Sequence, residues 1–486
     1  MPTLLNKVVE SAETPAKSED YIKVNGLRLV KPYYFDFLCS VKKRWLGKTI
    51  IDVFSEEFAS RPRSYYQEAF EDGRLRIEGG KGTATADTLL NGNHRMRHFI
   101  HRHEPPVLNL PLEVVAETQD LIAVHKPASM PVHACGQYRK NTVMALLQMG
   151  RPDLGKLFPV HRLDKPVSGL LLIAKTAAAA KAVGTQITEP GAVHKTYIAR
   201  VLGSFPDDPI AVDRQLAWDS GSNHAFLMEA EGSLSQKQSM GRVPEVGQNQ
   251  ELQAKEAQTG FRLLSVASDA CTSLVECQPK TGRTHQIRVH LSFLGHPIAN
   301  DSQYGGTYKG PDQVRTYITA ARNDTSSHSG PSTSANATAA ASQAIRSKTT
   351  QQDIDSADQH QTVNKRQKCT LEAALISHHA RGASISTNCD QGNGGHETEV
   401  KDSNTCMAEN QNPVASNYAD LLVPDDLQDD MCMNCPRLIP PGYPTDMHPL
   451  WLHAQSYTSA TWSFVCSKPE WANAEWTPPL SSCGHH

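Results

Sequence analysis

Apolar residues come in short runs whose period changes along the chain, and each change marks an element. Leu121-Ile122-Ala123-Val124-His125-Lys126 stops at Pro127 and reads as a strand. The five-residue run from Leu170 to Ala174 reads as a buried strand, and Lys195-Thr196-Tyr197-Ile198-Ala199-Arg200-Val201 alternates as a half-buried one. Further strands are predicted within 21–37, at Arg74-Leu75-Arg76-Ile77, and at 261–266 and 273–277. Helical spacing is found in Ile50-Ile51-Asp52-Val53-Phe54 and in Tyr65-Tyr66-Gln67-Glu68-Ala69-Phe70, with Gly73 as a stop. Residues 142–149, the alanine-rich 176–187 and 283–294 also read as helices. In the last of these Ile287, Leu291 and Leu294 form the buried stripe, with Thr284 and Arg288 four apart beside it.

The pattern is lost between about 309 and 430. Ser, Thr, Ala, Gln, Asn and Asp predominate there, and so few large apolar residues cannot offset the entropy of ordering the chain. The expected organisation is a flexible leader (1–20), a small basic unit with its link (21–105), a larger unit (106–308), a disordered insertion (309–430), a structured return (431–476) and a tail (477–486). A second polar loop is expected at 232–257. The closure cost of a long insertion grows only logarithmically, so it can sit inside a folded unit.

Charge follows the same division. Residues 1–310 carry 37 Lys and Arg against 32 Asp and Glu, and the remainder 11 against 19. A mildly basic core with an acidic stretch fits a protein that meets a polyanion. The eleven cysteines have no regular spacing, which points to a reducing compartment, and no apolar run approaches the ~18 residues of a spanning helix. A soluble protein is expected, cytoplasmic or nuclear, with mitochondria left open.

The candidate chemistry centres on His161-Arg162-Leu163-Asp164-Lys165-Pro166-Val167-Ser168-Gly169, a polar loop entering the Leu170–Ala174 strand. Arg162 and Lys165 beside Asp164 favour its ionised form. An isolated R-x-D is more often a surface ion pair. In the first unit Lys42, Lys43, Arg44, Lys48, Arg61, Arg63, Arg74 and Arg76 cluster as phosphate contacts, which supply affinity without reading sequence. Two groups raise the question of a metal: His94, His98, His101 and His103 with Glu104, and Cys432-Met433-Asn434-Cys435 with His448 or His453. Neither completes a ligand set in sequence, so no metal is expected. A zinc nucleobase deaminase needs H-x-E with P-C-x-x-C; the chain has no His-x-Glu, and Pro436 follows its cysteine pair.

The loop and strand resemble the H-R-L-D-x-x-T/S-S-G-L-L-L motif of the RluA-type pseudouridine synthases, with Val167 where Thr is commoner. Gly282-Arg283-Thr284-His285-Gln286-Ile287-Arg288-Val289-His290-Leu291 resembles the family's G-R-T-H-Q-I/L-R-V-H-L element. The string from Gly295 to Gly305 is similar to its G-x-P-I-x-x-D-x-x-Y-G, and 195–201 to its K-x-Y-x-A-x-V. The segment ending Val132-His133 resembles K-P-x-G-x-x-V-H, with Ser129 replacing glycine. Leu452-His453-Ala454 through Tyr457 is similar to L-H-A-x-x-Y, and Pro469-Glu470-Trp471-Ala472 to P-x-W-A. His101-Arg102-His103-Glu104-Pro105-Pro106-Val107 resembles a signature of the eukaryotic branch, whose members act mainly on tRNA, and the first unit loosely resembles an S4 RNA-binding domain.

The resemblance implies an α+β fold: a mixed, largely antiparallel catalytic sheet that the C-terminal return completes, a small S4-like N-terminal domain and a long disordered insertion. It implies isomerisation of uridine to pseudouridine in RNA, tRNA favoured and rRNA or mRNA open, by a monomer with no cofactor. Asp164 would act on the flipped nucleotide, Arg288 would pair with Asp164 and aim it, Arg162 would keep the nucleotide out of the stack, and Tyr197 would pack on the base. Lys195, Arg283 and His285, within the same motifs, join the RNA-binding candidates. The rival expectation is a non-catalytic RNA-binding protein that keeps the fold.

Overall fold

The computed structural model describes residues 8–58, 61–80, 83–219, 221–228, 253–267, 271–308, 421–440, 442–443 and 447–476. The first unit runs β1 (Val9–Glu10), β2 (Tyr21–Val24), β3 (Leu27–Val30), β4 (Tyr33–Ser40), α1 (Ile50–Glu57), α2 (Arg63–Glu71), β5 (Leu75–Glu78) and β6 (Arg95–Arg102), followed by β7 (Val107–Leu108). Thr49 starts α1 by accepting from the Asp52 N–H at 3.1 Å, a side-chain cap for one of the donors that a helix start leaves unpaired. The apolar faces of α1 and α2 bury Ile50, Val53, Phe54, Tyr66 and Ala69 against Leu75 and Met96. β4 and β6 pair antiparallel over their whole length, from Tyr33 opposite Arg102 to Ser40 opposite Arg95. That pairing holds the end of β6, and His101 with it, at the border of the second unit.

The leader is more ordered than its composition suggests. β1 pairs parallel with β4, and the half-buried carboxylate of Glu10 takes Lys140 Nζ at 2.7 Å and Arg139 Nη1 at 3.0 Å. Charge pairing with the second unit replaces the apolar contacts that the leader lacks.

The second unit contains β8 (Glu113–Glu117), β9 (Leu121–Lys126), α3 (Val143–Gly150), β10 (Phe158–Pro159), β11 (Ser168–Ala174), α4 (Ala177–Thr188), β12 (His194–Leu202), β13 (Ile210–Asp219), β14 (His224–Leu227), β15 (Lys255–Val266), β16 (Thr272–Pro279), α5 (Gln286–Phe293), β17 (Leu452–Thr458) and β18 (Ser463–Val465). Its sheet runs β14-β13-β15-β16-β12-β17-β11-β9-β8, with β10 beside β11 and β18 beside β17. Every pairing in it is antiparallel except β11 with β17. β17, from the C-terminal return, therefore lies inside the sheet, between β11 and β12.

Every residue of β11 is buried, as its apolar run requires. α3 and α4 bury Val143, Leu147 and Val183 in the core that contains Leu170–Ala174, and α5 buries Ile287 and Leu291 in a core with Val201, Phe261 and Val275. Each fully buried Leu or Ile contributes about 1.5–3 kcal/mol. At Gly169, with φ +112°, a Cβ would lie 2.3 Å from Ala454 O, so only glycine lets β17 join β11 here.

Of the stretch expected to be disordered, 309–420 lies outside the described residues, while 421–430 has structure. Leu422 bridges Arg437, and Asp429 is buried against Arg74 at 2.7 Å. The expected polar loop at 232–257 shortens at its end, since β15 begins at Lys255; 229–252 lies outside the described residues, as does the tail from 477.

Candidate active site

The site forms where the loop before β11 meets the start of α5. Val167 N–H closes a turn on Asp164 O at 3.1 Å. Lys126, at the end of β9 and fully buried, donates to Pro127 O at 2.9 Å, Lys165 O at 3.1 Å and Val167 O at 2.7 Å. An apolar strand that ends in a buried ammonium thus grips the loop on the far side of Asp164. Desolvation is the main force on this lysine and lowers its pKa to about 7, with the Asp164 charge opposing. On the near side, His161 Nε2 accepts the Leu172 N–H at 3.1 Å and its ring stands edge-on to Tyr457. Burial lowers that imidazole to about 4, so it is neutral at physiological pH.

Asp164 itself keeps about a fifth of its side chain open to solvent. Neither neighbouring cation pairs with it. Arg162 reaches Thr284 Oγ1 at 3.3 Å, and Lys165 lies over Tyr138, 3.2 Å from its hydroxyl. The group that faces Asp164 is His285, whose Nε2 lies 3.7 Å from Oδ2. Burial holds this imidazole neutral, with its pKa lowered to about 4. Tyr304 Oη accepts the Ala225 N–H at 2.9 Å and lies 2.7 Å from His285 Nδ1. The tyrosine proton is then free for Nδ1, which leaves the ring hydrogen on Nε2, toward Asp164. His285 has φ +58°, a left-handed conformation that costs a non-glycine residue about 1–3 kcal/mol. That kink starts α5 three residues later than the sequence pattern predicts and turns the imidazole into the site.

Arg288 does not pair with Asp164, contrary to expectation. Its guanidinium binds Asp301 twice, at 2.6 and 2.7 Å, and Gln303 Oε1 at 2.8 Å, and it stacks 4.7 Å from the Tyr304 ring centre. Desolvation opposes its charge, and the Asp301 bonds and charge outweigh it, raising its pKa. The Asp164 charge contributes to that balance, so Arg288 lies in electrostatic reach of the loop without touching it. Asp301 sits in the motif after α5 and was not singled out in the sequence; the signal available was an acid spaced to meet a buried arginine.

Tyr197 is half-buried, its hydroxyl 2.6 Å from that of Tyr457 and its ring packed into the two cores on either side of the sheet. Desolvation raises its pKa to about 12. The wall that it forms lies within the field of Asp164. Ser168 Oγ and His453 Nδ1, 2.9 Å apart, join the loop to the returning strand.

The basic residues divide. Lys43 is exposed, and Arg44, Lys48 and Arg63 sit at the surface, paired with Glu57 at 2.6 Å, with Glu56, and with Asp52 at 2.6 Å. Such pairs are worth only about 0–1 kcal/mol and can be exchanged for phosphate. Arg61 lies over Tyr65 and Arg76 over Phe99. Arg74 is 4% exposed and bound to both Asp72 and Asp429, so it cannot meet RNA. Lys195 is buried too, with its ammonium on Ile187 O at 3.3 Å and its pKa lowered by desolvation. Arg283 is exposed, its Nε on Glu256 O at 2.9 Å. The cysteine pair does not meet His448 or His453, and His94 and His98 do not join one cluster with His101 and His103. Among the described residues no helix is long and apolar enough to cross a membrane.

Residues 120–293 match the family model described as RNA pseudouridylate synthase. The chain is 34% identical over 466 residues to RNA pseudouridine synthase 7 of Arabidopsis thaliana, across 96% of this chain and 91% of that protein. It is 38% identical over 314 residues to the mitochondrial tRNA pseudouridine(32) synthase of Saccharomyces cerevisiae, across 62% of each. Among solved structures, human RNA pseudouridylate synthase domain containing 1 aligns over 40% of this chain and 70% of its own, at 25% identity and a TM-score of 0.31.

Proposed function

The chain belongs to the RluA-type RNA pseudouridine synthase family, and from that premise we propose that it isomerises uridine to pseudouridine in RNA, tRNA being the favoured substrate, with Asp164 as the catalytic group. The observation that carries the assignment of Asp164 is its setting: a carboxylate held on a loop clamped from both sides, partly open to solvent, beside the neutral imidazole of His285 and under the wall formed by Tyr197. tRNA is favoured by the yeast tRNA pseudouridine(32) synthase and by a second relative in Saccharomyces cerevisiae, tRNA pseudouridine(31) synthase, 36% identical over 299 residues.

The reaction breaks the bond from the sugar C1′ to uracil N1 and forms one from C1′ to C5. C5 loses a proton and N1 gains one, so the change is redox-neutral and a carboxylate suffices. Asp164 attacks the sugar or promotes loss of uracil; both routes require an ionised carboxylate near C1′ of a nucleotide removed from the stack. The exposed Arg162 at the mouth of the site is placed to occupy the gap left in the RNA, and Tyr197 offers its ring to the base. His285, with Nε2–H toward Asp164 at 3.7 Å, gives the carboxylate a neutral polar neighbour and leaves the negative charge on it. Arg288 supports this group through Tyr304 rather than touching Asp164. The surface cations of the first unit, Lys43, Arg44, Lys48 and Arg63, supply phosphate contacts, joined by the partly exposed Arg61 and Arg76 and, near the site, by Arg283.

Mapping pseudouridine in total RNA from cells carrying wild type or Asp164→Asn tests the reading. Sites present with wild type and absent with the variant are expected, with RNA binding kept. Retention of every site in the variant would remove Asp164 from the chemistry. Absence of any site dependent on the protein, with RNA binding intact, would favour a binding role for this fold.

A further inference from the structure

Two pairs of side chains that the chain keeps more than three hundred positions apart meet at the border of the two units. His101 ends β6, His103 follows two residues later, and Cys432 and Cys435 come from the returning segment. One donor atom from each lies within 4.8 Å of all the others. Cys435 Sγ is 3.6 Å from both His101 Nδ1 and His103 Nε2. His101 and His103 are 3% and 5% exposed, and both cysteines are free thiols. Glu104, the acidic ligand beside them in sequence, turns away and accepts from Tyr33 Oη and from the N–H groups of Arg139, Lys140 and Asn141.

We propose that His101, His103, Cys432 and Cys435 bind a zinc ion in a closed, tetrahedral two-cysteine, two-histidine site.

Geometry and chemistry agree. Zinc bonds of about 2.3 Å to sulfur and about 2.0–2.1 Å to nitrogen, at tetrahedral angles, separate S from N by about 3.6 Å; both sulfur–nitrogen distances to Cys435 have that value. Thiolate with imidazole selects zinc over magnesium, calcium or manganese. Without a cation the cluster is a set of polar atoms taken out of water with only weak S–H···N contacts between them. His101 Nε2 and His103 Nδ1 have no hydrogen-bond partner among the described residues, so no outer bond orients either ring. One divalent ion gives the four inward atoms a common partner in place of those weak contacts, while the outward His101 Nε2 and His103 Nδ1 keep none among the described residues. Binding is balanced as Zn²⁺ plus two thiols and two neutral imidazoles giving the four-coordinate ion and two released protons.

With four protein ligands and no open position, the site is structural rather than catalytic. It staples the segment before β17 to the end of β6. The buried Arg74–Asp429 pair and the contacts of Leu27 and Leu29 with Val423, Leu438 and Ile439 secure the same junction. β17 then pairs with Gly169, five residues beyond Asp164, so the staple anchors the strand that completes the catalytic sheet.

The test starts from the full-length wild-type chain, purified without chelator and gel-filtered, with zinc measured by plasma mass spectrometry. One zinc per chain is expected, released when the thiols are blocked with a mercurial reagent. The double variant Cys432→Ser/Cys435→Ser should carry none, and His101→Gln substantially less than wild type. Cobalt refolded into wild type should give the thiolate charge-transfer and red ligand-field absorption of a tetrahedral thiolate site. Substoichiometric zinc in wild type, stoichiometric zinc surviving in the cysteine double variant, or a Cys432–Cys435 disulfide in freshly reduced protein would each overturn the proposal. The wild-type and cobalt measurements decide the matter even if the variants fail to fold.

Discussion

Replacing Asp301 with asparagine tests the support of the site at its most constrained point. The wild-type carboxylate receives two charge-assisted bonds from Arg288, at 2.6 and 2.7 Å, and the two side chains are 6% and 2% exposed. Asparagine keeps the shape but removes the charge and turns N–H donors toward a guanidinium that has no acceptor to offer. Breaking one member of a buried pair costs about 3–5 kcal/mol, since the surviving charge stays out of water. The Gln303 bond at 2.8 Å remains, which places the loss near the lower end of that range. Against a total stability of about 5–15 kcal/mol this is a large fraction. With a urea slope of about 1–3 kcal/mol per molar, the unfolding midpoint of the second unit should fall by at least about 1 M. Turnover should fall as well, because Arg288 supports Tyr304, which orients His285 beside Asp164. The double variant Arg288→Met/Asp301→Leu should recover much of the stability without recovering turnover, since a well-packed apolar pair replaces a buried ionic one at little net cost. An Asp301→Asn protein within about 0.5 kcal/mol of wild type, inside the range of an ordinary surface substitution, would refute this account and return Arg288 to Asp164 as its partner.

Lys126→Met removes three bonds to the carbonyls around the loop and leaves buried acceptors unpaired, each at about 1–3 kcal/mol. Single-turnover assays should show a loss of catalytic rate with RNA affinity unchanged; an unaltered rate would mean that Asp164 is aimed by other contacts. Stability should also fall as the solution is acidified. Burial holds His98, His161, His285, His290 and His453 well below the ordinary value of 6.5, at about 3 to 4, so between pH 6.5 and 4 the unfolded chain binds protons that the folded chain does not. Each such histidine then weakens folding by up to about 1.4 kcal/mol per pH unit. Urea midpoints measured from pH 7 to 5 should decline steadily, and a flat profile would show that these rings are hydrated.

Much of the fold is legible in the sequence because burial leaves a period. The run from Leu170 to Ala174 has no polar position to expose, so it can only be an interior strand, and the stripe of Ile287 and Leu291 fixes which face of α5 meets the sheet. The order of elements and the presence of Asp164 on a loop before β11 follow from the same local signals. The end of α5 nearest the site was less legible: a histidine in a left-handed conformation breaks the helical pattern at its first turn, and the apolar period carries no sign of it.

Pairing between distant residues belongs to another level. Local sequence places Arg288 beside the core, but whether its charge is met by Asp164 or Asp301 depends on how the segment after α5 folds back, and the closer and more enclosed carboxylate takes it. Arg74 and Lys195 look like cations available to RNA until burial removes them from the surface. The cysteine pair reads as half a site beside His448 and His453 in sequence, yet the histidines that the fold brings to it are His101 and His103, from a distant part of the chain. The sequence by itself determined helices α1 to α5, the apolar strands at the heart of the sheet and the chemistry available, because these depend on local propensity and on the period of burial; strands such as β1, β6 and β13 took their place from pairing. The tertiary structure alone decided which ionisable groups meet, because charges and ligand atoms interact across space and carry no record of their partners along the chain.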